Sequence, residues 1–228
     1  MQGYRLTRVA AVLATAVVLG GCGGATREQE PPDAEQAFRQ IEERLQQAGL
    51  VAVDFRITAE GAVTADLAGA LFLDGDSVAS LEAAGEFAGQ PVALSMRAAQ
   101  GRMAGGNGKE MFDQEAPPQL REALVIGLTR MGLLHNLAML AGGSPPDRAG
   151  GGVESWVQVE NVEWTEPIAA GKLRGTGFDI RVSGEVVGEA VLWSDDDGVP
   201  VMREQTVRFP EGEMRVYEEY TRVLLAGR

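Results

Sequence analysis

Apolar residues recur at helical spacing between residues 34 and 48. One side of this segment is apolar and consists of Ala34, Ala37, Phe38, Ile41, Leu45 and Ala48. The other side is polar, Asp33 is a good N-cap residue, and Gly49 is a typical helix end. The sequence therefore predicts an amphipathic helix over 34–48. Because its charges nearly cancel and it lacks Lys and Trp, packing on a sheet is favoured over lying on a membrane.

From Val51 onward the apolar period is two. Runs of alternating apolar and polar side chains end at turns rich in Gly, Asp and Pro, at 60–61, 73–76 and 89–91. Strands separated by such turns are typical of an antiparallel meander. We expect the last strand of this meander to be a short edge at 100–103, followed by a loop over 104–118.

Residues 120–141 predict a second helix of about six turns. Apolar side chains form two stripes on different sides of it, which is typical of a helix largely surrounded by protein. A membrane span is the alternative, but polar residues interrupt the segment: Arg121, Glu122, Arg130, His135 and Asn136. We therefore expect a central apolar helix in the core, followed by a flexible Gly- and Pro-rich connection over 142–152.

The C-terminal third returns to a period of two. The pattern predicts strands over 153–164, 172–183, 186–194, 199–209 and 213–224. On the fourth of these strands, Val201, Arg203, Gln205 and Val207 share one face. The order of helix, meander, helix and further strands indicates an α+β fold in a single domain over 34–228.

The chain is acidic, with 33 Asp and Glu against 20 Lys and Arg and a formal net charge of −13. Such a surface is repelled by nucleic acid and by anionic lipid head groups. We therefore expect no nucleic-acid partner. Any membrane contact should come from an anchor and not from a basic patch.

Few residues offer catalytic or metal-binding chemistry. His135 is the only histidine and Cys22 the only cysteine, which argues against zinc sites and His-based triads. The acidic turn at 195–197 lacks the spacing of a calcium loop, and Glu218 and Glu219 point to opposite faces of the last strand. We expect no enzyme activity, no catalytic residue, no metal and no cofactor. A hydrolase using carboxylates alone would need two buried carboxyl groups facing one cleft.

The N-terminal residues have the layout of an export signal. Two arginines precede an apolar run over 9–19, and the sequence Leu-Gly-Gly-Cys ends at Cys22. The run is too short to span a bilayer, which needs about 20 apolar residues. This pattern closely resembles the lipobox of bacterial lipoproteins, which implies that 1–21 are a cleaved signal peptide and that Cys22 is acylated, for example with palmitate. An ordinary secretory signal is the alternative. Residues 22–33 would then form the lipidated cysteine and a flexible tether.

The order of elements, from lipobox and tether to helix, meander, apolar helix and further strands, resembles the Lol-type lipoprotein carriers and receptors and the mycobacterial lipid-binding lipoproteins. The resemblance covers 34–224 and is architectural, since no short motif matches apart from the lipobox. It implies a strongly curved, unclosed antiparallel half-barrel that wraps around helices and encloses an apolar cavity for acyl chains. The residues expected to line this cavity are Leu67, Leu71, Phe87, Leu94, Met96, Leu124, Leu128, Met131, Leu134 and Trp193.

Two functions are consistent with this sequence. The first is a membrane-anchored cell-envelope lipoprotein that holds a lipid or lipoprotein acyl chain in an apolar concavity. The second is a non-enzymatic interaction or accessory subunit of an envelope complex, which predicts a solid core without a ligand cavity. The anchor would place the domain on the periplasmic side. An aspartate after the lipidated cysteine favours inner-membrane retention in well-studied Gram-negative bacteria, so Gly23 favours the outer membrane.

Overall fold

The computed structural model describes residues 33–146, 157–210 and 212–227. The signal segment and Cys22 lie outside the described residues. The first element, helix α1, spans Ala34–Gln47, and its N-cap Asp33 accepts a hydrogen bond from the Gln36 backbone N–H at 2.6 Å. Phe38 and Leu45 on its apolar side are buried. The predicted amphipathic helix that packs on the sheet is therefore confirmed.

Eleven strands within the described residues form one antiparallel sheet. Their bounds are β1 Leu50–Gly61, β2 Ala65–Asp74, β3 Val78–Phe87, β4 Gln90–Ala99, β5 Arg102–Gly106, β6 Met111–Glu115, β7 Val157–Trp164, β8 Arg174–Val182, β9 Glu185–Ser194, β10 Pro200–Phe209 and β11 Gly212–Ala226. Their order across the sheet is β6-β5-β4-β3-β2-β1-β11-β10-β9-β8-β7. Because β6 and β7 form the two edges, the sheet is not closed, and the predicted α+β class with an unclosed antiparallel sheet is confirmed.

The sheet consists of two meanders that join in its middle. Strands β1–β6 form the first meander and β7–β11 the second, and the joint is the pairing of β1 with β11. The register between them shifts at Asp54 and Phe55, where a β-bulge lies in the ladder. A bulge increases the local twist of a strand and bends it. The two meanders therefore bury their apolar sides in one common core.

The core lies on one face of the sheet. Alternate residues of β1 are buried, including Val51, Val53 and Ile57, and they belong to the same cluster as the buried side of α1. Gly69 lets the Phe55 ring lie close to β2, because a Cβ at residue 69 would come within 2.8 Å of Phe55 Cζ. The opposite face is largely exposed and carries cross-strand ion pairs.

One predicted loop contains two strands. Residues 104–118 were expected to be irregular, but β5 continues to Gly106 and β6 follows at Met111–Glu115. The Asn107 side-chain oxygen accepts hydrogen bonds from the backbone N–H groups of Lys109 and Glu110 at 2.9 and 2.8 Å. This Asx turn closes a hairpin within a Gly-rich segment. The loop prediction was wrong because composition alone does not show this local hydrogen bonding.

The prediction of one continuous helix over 120–141 was also wrong. Helix α2 (Leu120–Ile126) continues into a π-helical turn (Gly127–Met131), and helix α3 (Leu133–Ala141) follows at an angle of 116°. Gly132 separates them with a φ of +84°, a conformation that only glycine adopts readily. We call Gly132 the helix break. Within the described residues, no single helix is long and apolar enough to cross a membrane, although α2 and α3 together pass that test as a bent pair.

We expect Phe38→Ala to lower the free energy of unfolding by about 3–5 kcal/mol, as is usual for a buried phenylalanine. Phe38 is 1% exposed, and its ring packs edge-on against Phe178 of β8 at 4.8 Å between centroids. Urea unfolding followed by circular dichroism measures the change. The matched control is Arg39→Ala, because within the described residues Arg39 forms only an exposed ion pair with Glu35. Its expected change is within about 0.5 kcal/mol. Equal stabilities of the two variants would contradict the packing of α1 on the sheet.

Candidate functional site

A fully buried arginine and a fully buried glutamate lie side by side beneath the helix break. Arg203 of β10 and Glu218 of β11 are direct cross-strand neighbours, and each is 0% exposed. Both side chains point to the core face. Successive residues of a strand point to opposite faces, and the next residues, Glu204 and Glu219, are exposed. Buried charges are costly unless hydrogen bonds compensate them. The partners of these two groups therefore show what the pair does.

Arg203 satisfies the carbonyl end of the first helical segment. Its Nη1 and Nη2 donate hydrogen bonds to the backbone oxygens of Thr129 and Arg130 at 2.5 and 2.6 Å. The last carbonyls of a helix have no partner within the helix and carry partial negative charge. The guanidinium thus caps the π-helical turn directly before the helix break.

Glu218 satisfies the amide end of the second helical segment. Its two carboxylate oxygens accept hydrogen bonds from the backbone N–H groups of Leu133 and Leu134, each at 3.0 Å. Tyr220 donates its hydroxyl hydrogen bond to Glu218 Oε2 at 2.8 Å. The N-terminal end of a helix carries partial positive charge, so a carboxylate is stabilised there. Gly132 allows this approach, because a Cβ on it would lie 2.7 Å from Glu218 Oε1.

Burial and the neighbouring charges shift the pKa values of Arg203 and of Tyr220, which contacts Glu218. Burial lowers the pKa of the Arg203 guanidinium, and the charges of Tyr220 and Glu218 act in the opposite direction. Burial also raises the pKa of the Tyr220 hydroxyl well above its ordinary value, and the neighbouring Glu218 charge raises it further. Arg203 stays charged, because a guanidinium is not deprotonated in proteins. The Tyr220 hydroxyl therefore stays protonated and acts as a donor.

Two further buried groups fix the helices to one another. Glu42 of α1 forms a bidentate ion pair with Arg130, with distances of 2.8 and 2.7 Å. It also accepts a hydrogen bond from the Thr129 hydroxyl at 2.7 Å. Arg121 of α2 donates to backbone oxygens at the end of α1, including Leu45 at 2.9 Å. The helix break is therefore held from α1 as well as from the sheet.

A cavity of about 430 Å³ lies next to the helix break, at the end of the sheet where β10 turns into β11. Its walls come from α3, from the turn between β1 and β2, and from the adjacent ends of β3, β8, β9, β10 and β11. The lining residues are Val63, Phe87, Met131, Leu134, His135, Ala138, Val182, Val187, Gln205, Val207, Arg208, Phe209 and Met214. This lining is mainly aliphatic, which suits an apolar ligand.

The residues predicted to line a ligand site fall into three groups. Phe87, Met131 and Leu134 line the cavity. Six others lie in the packed core and are at most 2% exposed: Leu67, Leu71, Leu94, Met96, Leu124 and Leu128. Trp193 lies on the face of β9 opposite to the core residue Leu192, where its ring packs close to Gly175. The structure thus brings three of the ten together at the cavity, and their contact with a ligand stays a prediction.

The other chemistry-bearing residues occupy different places. His135 is half-buried and lines the cavity, where burial lowers its pKa, so the imidazole is neutral at neutral pH. Asp195 of the acidic turn uses one carboxylate oxygen to accept from the backbone N–H groups of Asp197 and Val199, which makes it part of a hairpin turn. Within the described residues, no group of three or more His, Cys, Asp or Glu side chains could hold a metal ion.

No protein-family model matches this sequence, and comparison with curated proteins gives no significant match. Among solved structures, the chain is similar to one in the MucA/MucB complex of Pseudomonas aeruginosa at 15% identity and a TM-score of 0.40, over 86% of this chain and 58% of that one. It is similar to a LolA-superfamily protein of Nitrosomonas europaea at 8% identity and a TM-score of 0.35, over 86% of this chain and 95% of that one.

It is also similar to LprF of Mycobacterium bovis at 12% identity and a TM-score of 0.35, over 85% of this chain and 96% of that one. A LolA-superfamily protein and LprF are thus among the structural neighbours. At these identities and scores the likeness carries no evidence about ligand or partner.

Sequence reasoning missed the two charged residues that organise the site. Arg203 and Gln205 share a strand face with Val201 and Val207, so the sequence itself indicates that they point into the core. Charged residues at core positions of a strand indicate buried capping or pairing groups. Their partners could not be found in this way, because those partners are backbone groups exposed by a helix break that the sequence did not predict.

We expect Tyr220→Phe to be less stable than the wild type at pH 7 by about 1–3 kcal/mol, because Glu218 loses a buried donor. The folded-state pKa of Tyr220 is raised, so its stabilising contribution is complete below the unfolded value of about 10 and is lost as pH rises through the folded value. The stability difference between the wild type and the variant should therefore shrink above pH 10.

Urea unfolding at a series of pH values between neutral and strongly alkaline tests this expectation. Tyr217→Phe is the matched control, because Tyr217 is 40% exposed and the only hydrogen bond that its hydroxyl forms within the described residues goes to the Met202 sulfur at 3.0 Å. The free energy of unfolding of Tyr217→Phe at pH 7 should stay within about 0.5 kcal/mol of the wild-type value. A Tyr220→Phe deficit that grows with pH would contradict the raised pKa.

Proposed function

We propose that this protein is a membrane-anchored cell-envelope lipoprotein that holds a lipid acyl chain in the cavity beside α3, without catalysing a reaction. The observation that carries the proposal is the mainly aliphatic cavity of about 430 Å³ between α3 and the ends of strands from both meanders. Its lining is what an aliphatic ligand needs, because small-molecule sites are lined mainly by apolar side chains with a few polar groups.

The size and lining of the cavity support binding of a flexible apolar chain. Ligand sites usually measure about 300–1,000 Å³, so this cavity is large enough for a small-molecule tail. Each methylene group transferred from water into such a site contributes about 0.8 kcal/mol. A long acyl chain can therefore offset the loss of its translational and conformational freedom, which costs roughly 4–15 kcal/mol.

The wall formed by α3 is held in position before any ligand arrives. Met131, Leu134 and Ala138 present their side chains to the cavity, and the first turn of α3 is fixed by the Glu218 carboxylate. Affinity increases when the binding surface does not have to be ordered on association. The buried charges therefore support a preformed ligand site.

The lipobox-like segment supports attachment to a membrane. Two or more acyl chains on Cys22 would give stable anchoring, whereas one chain gives only marginal binding. Residues 23–33 would tether the domain on the periplasmic side, and Gly23 favours sorting to the outer membrane. The bound ligand would then be a membrane lipid or the acyl chain of another lipoprotein.

We expect Ala138→Trp to weaken binding of a pyrene-labelled palmitic acid at least tenfold, because the indole ring would fill part of the cavity. The protein should carry Cys22→Ala behind a cleavable secretory signal, so that neither its own acyl groups nor the apolar signal segment can enter the cavity. Fluorescence titration gives the dissociation constant, and native mass spectrometry gives the stoichiometry. Ala104→Trp on the exposed face of β5 is the matched control and should bind like the parent.

A parent protein that neither binds the labelled fatty acid nor retains a lipid on gentle purification would overturn the proposal. That outcome would favour the accessory-subunit alternative. Equal binding by both tryptophan variants and the parent would show that the labelled chain binds elsewhere.

We expect wild-type protein, expressed with its own N-terminal segment in a Gram-negative host, to partition into the detergent phase. Cys22→Ala, expressed behind a cleavable secretory signal in place of residues 1–21, should move it to the aqueous phase, because the acylation site is lost. Mass spectrometry of the N-terminal peptide identifies the acyl groups. Thr26→Ser is the control and should partition like the wild type. An unmodified Cys22 thiol in membrane fractions would contradict the lipoprotein assignment.

A further inference from the structure

Three residues that line the otherwise apolar cavity have polar side chains, namely His135, Gln205 and Arg208. Arg208 is exposed, and its Nη2 lies 3.7 Å from the exposed Glu189 carboxylate, so its charge is directed to the outer face of the sheet. His135 already has an interaction partner. Gln205 is the most deeply buried of the three, at 9% exposure. It is therefore the polar group whose role in the cavity requires an explanation.

The orientation of the Gln205 amide is fixed by Arg203. Gln205 Oε1 lies 3.1 Å from Arg203 Nε and 2.8 Å from Arg203 Nη2. A guanidinium has only donors, so the amide oxygen and not the nitrogen must face it. Arg203 itself is immobile, because it is fully buried and bonded to the backbone oxygens of Thr129 and Arg130. If the amide were flipped, the Nε2–H groups of Gln205 would face the N–H groups of Arg203, and no hydrogen bond could form.

The amide nitrogen of Gln205 consequently faces away from Arg203. Within the described residues, the hydrogen bonds of this side chain are the two that its oxygen accepts, and Nε2 has no partner among them. Nε2 carries two donors, and it is not among the fully buried side-chain atoms that lack a partner, so it reaches accessible space. Since Gln205 lines the cavity, these N–H groups are available to an acceptor on a bound molecule.

We propose that the Gln205 amide recognises the carbonyl oxygen of an acyl ester or fatty acid held in the cavity. The inference rests on the proposed function and adds the ligand class: an apolar chain that carries a carbonyl acceptor. The Nε2–H groups can donate to an ester or carboxylate oxygen, whereas they repel an ammonium group. Arg203 acts through Gln205 as a positioning residue, and Gln205 sets the specificity.

Gln205→Glu separates recognition from packing. A glutamate has nearly the same shape and still offers Arg203 an acceptor, so the contact with the guanidinium is kept. The variant removes the two Nε2 donors and replaces them with an acceptor oxygen. It should therefore disfavour a carbonyl ligand while still accepting a hydrogen bond from an alcohol.

Three probes with the same chain are compared on the Cys22→Ala protein: methyl palmitate, palmitate and hexadecanol. Competition with the pyrene-labelled fatty acid gives each dissociation constant. We expect Gln205→Glu to raise the dissociation constants of methyl palmitate and palmitate about 3- to 10-fold, which is the effect of one lost hydrogen bond. The dissociation constant of hexadecanol should change by less than about 2-fold. The ester separates carbonyl recognition from charge repulsion, which acts on palmitate alone. Gln100→Glu, in the exposed turn between β4 and β5, is the charge-matched control and should change none of the three.

An equal loss for all three probes, or no change for any of them, would overturn the role of Gln205 while the cavity itself still binds the chain. No binding of any probe by the Cys22→Ala parent would instead overturn the proposed function. Infrared spectra give a readout that does not depend on the variant folding. In the Cys22→Ala parent, the stretching band of an isotope-labelled carbonyl of bound methyl palmitate should shift to lower frequency than in hexane. An unshifted band would overturn the proposal.

Discussion

The caps that Arg203 and Glu218 place on a broken helix are the interaction on which the rest of the site depends. A helix that stops inside a protein exposes carbonyl groups at one end and N–H groups at the other. Here both sets lie within a few residues of Gly132, buried from water. A cationic side chain serves the first set and an anionic one serves the second, and each charge matches the sign of the helix end that it meets.

The same arrangement explains how two charges can be buried beside each other. Desolvation of a buried ion costs several kcal/mol, and attraction to one partner rarely offsets that cost. Arg203 and Glu218 attract each other across adjacent strands, and each also bonds to backbone groups that would otherwise lack partners. Removing either charge would therefore leave the other buried charge and two backbone groups uncompensated. The bend of the helix and the charges in the sheet stabilise each other.

Much of the sheet follows from local pattern, whereas the site does not. Alternation over 51–103 and the turns that interrupt it were enough to predict the antiparallel strands, because each hairpin is a local structure. The break at Gly132 could not be predicted, since a glycine within an apolar helical pattern is usually tolerated. What decides against a straight helix is a pair of side chains more than seventy residues away, Arg203 and Glu218. The alternation of the strand shows that these two residues point into the core, but it does not show which backbone groups they contact.

The bend that this long-range contact stabilises also shapes the cavity. A straight helix over 120–141 would continue in the direction of α2, whereas the bend of 116° turns α3 toward the strand ends and makes it a wall of the cavity. The side chain that links the capping pair to the cavity is Gln205, because its oxygen is held by Arg203. The charged pair that caps the bent helix thus also orients the amide that we propose to recognise the polar end of a ligand. Under this proposal, a substitution at Arg203 would change both stability and specificity, whereas one at Gln205 can separate them.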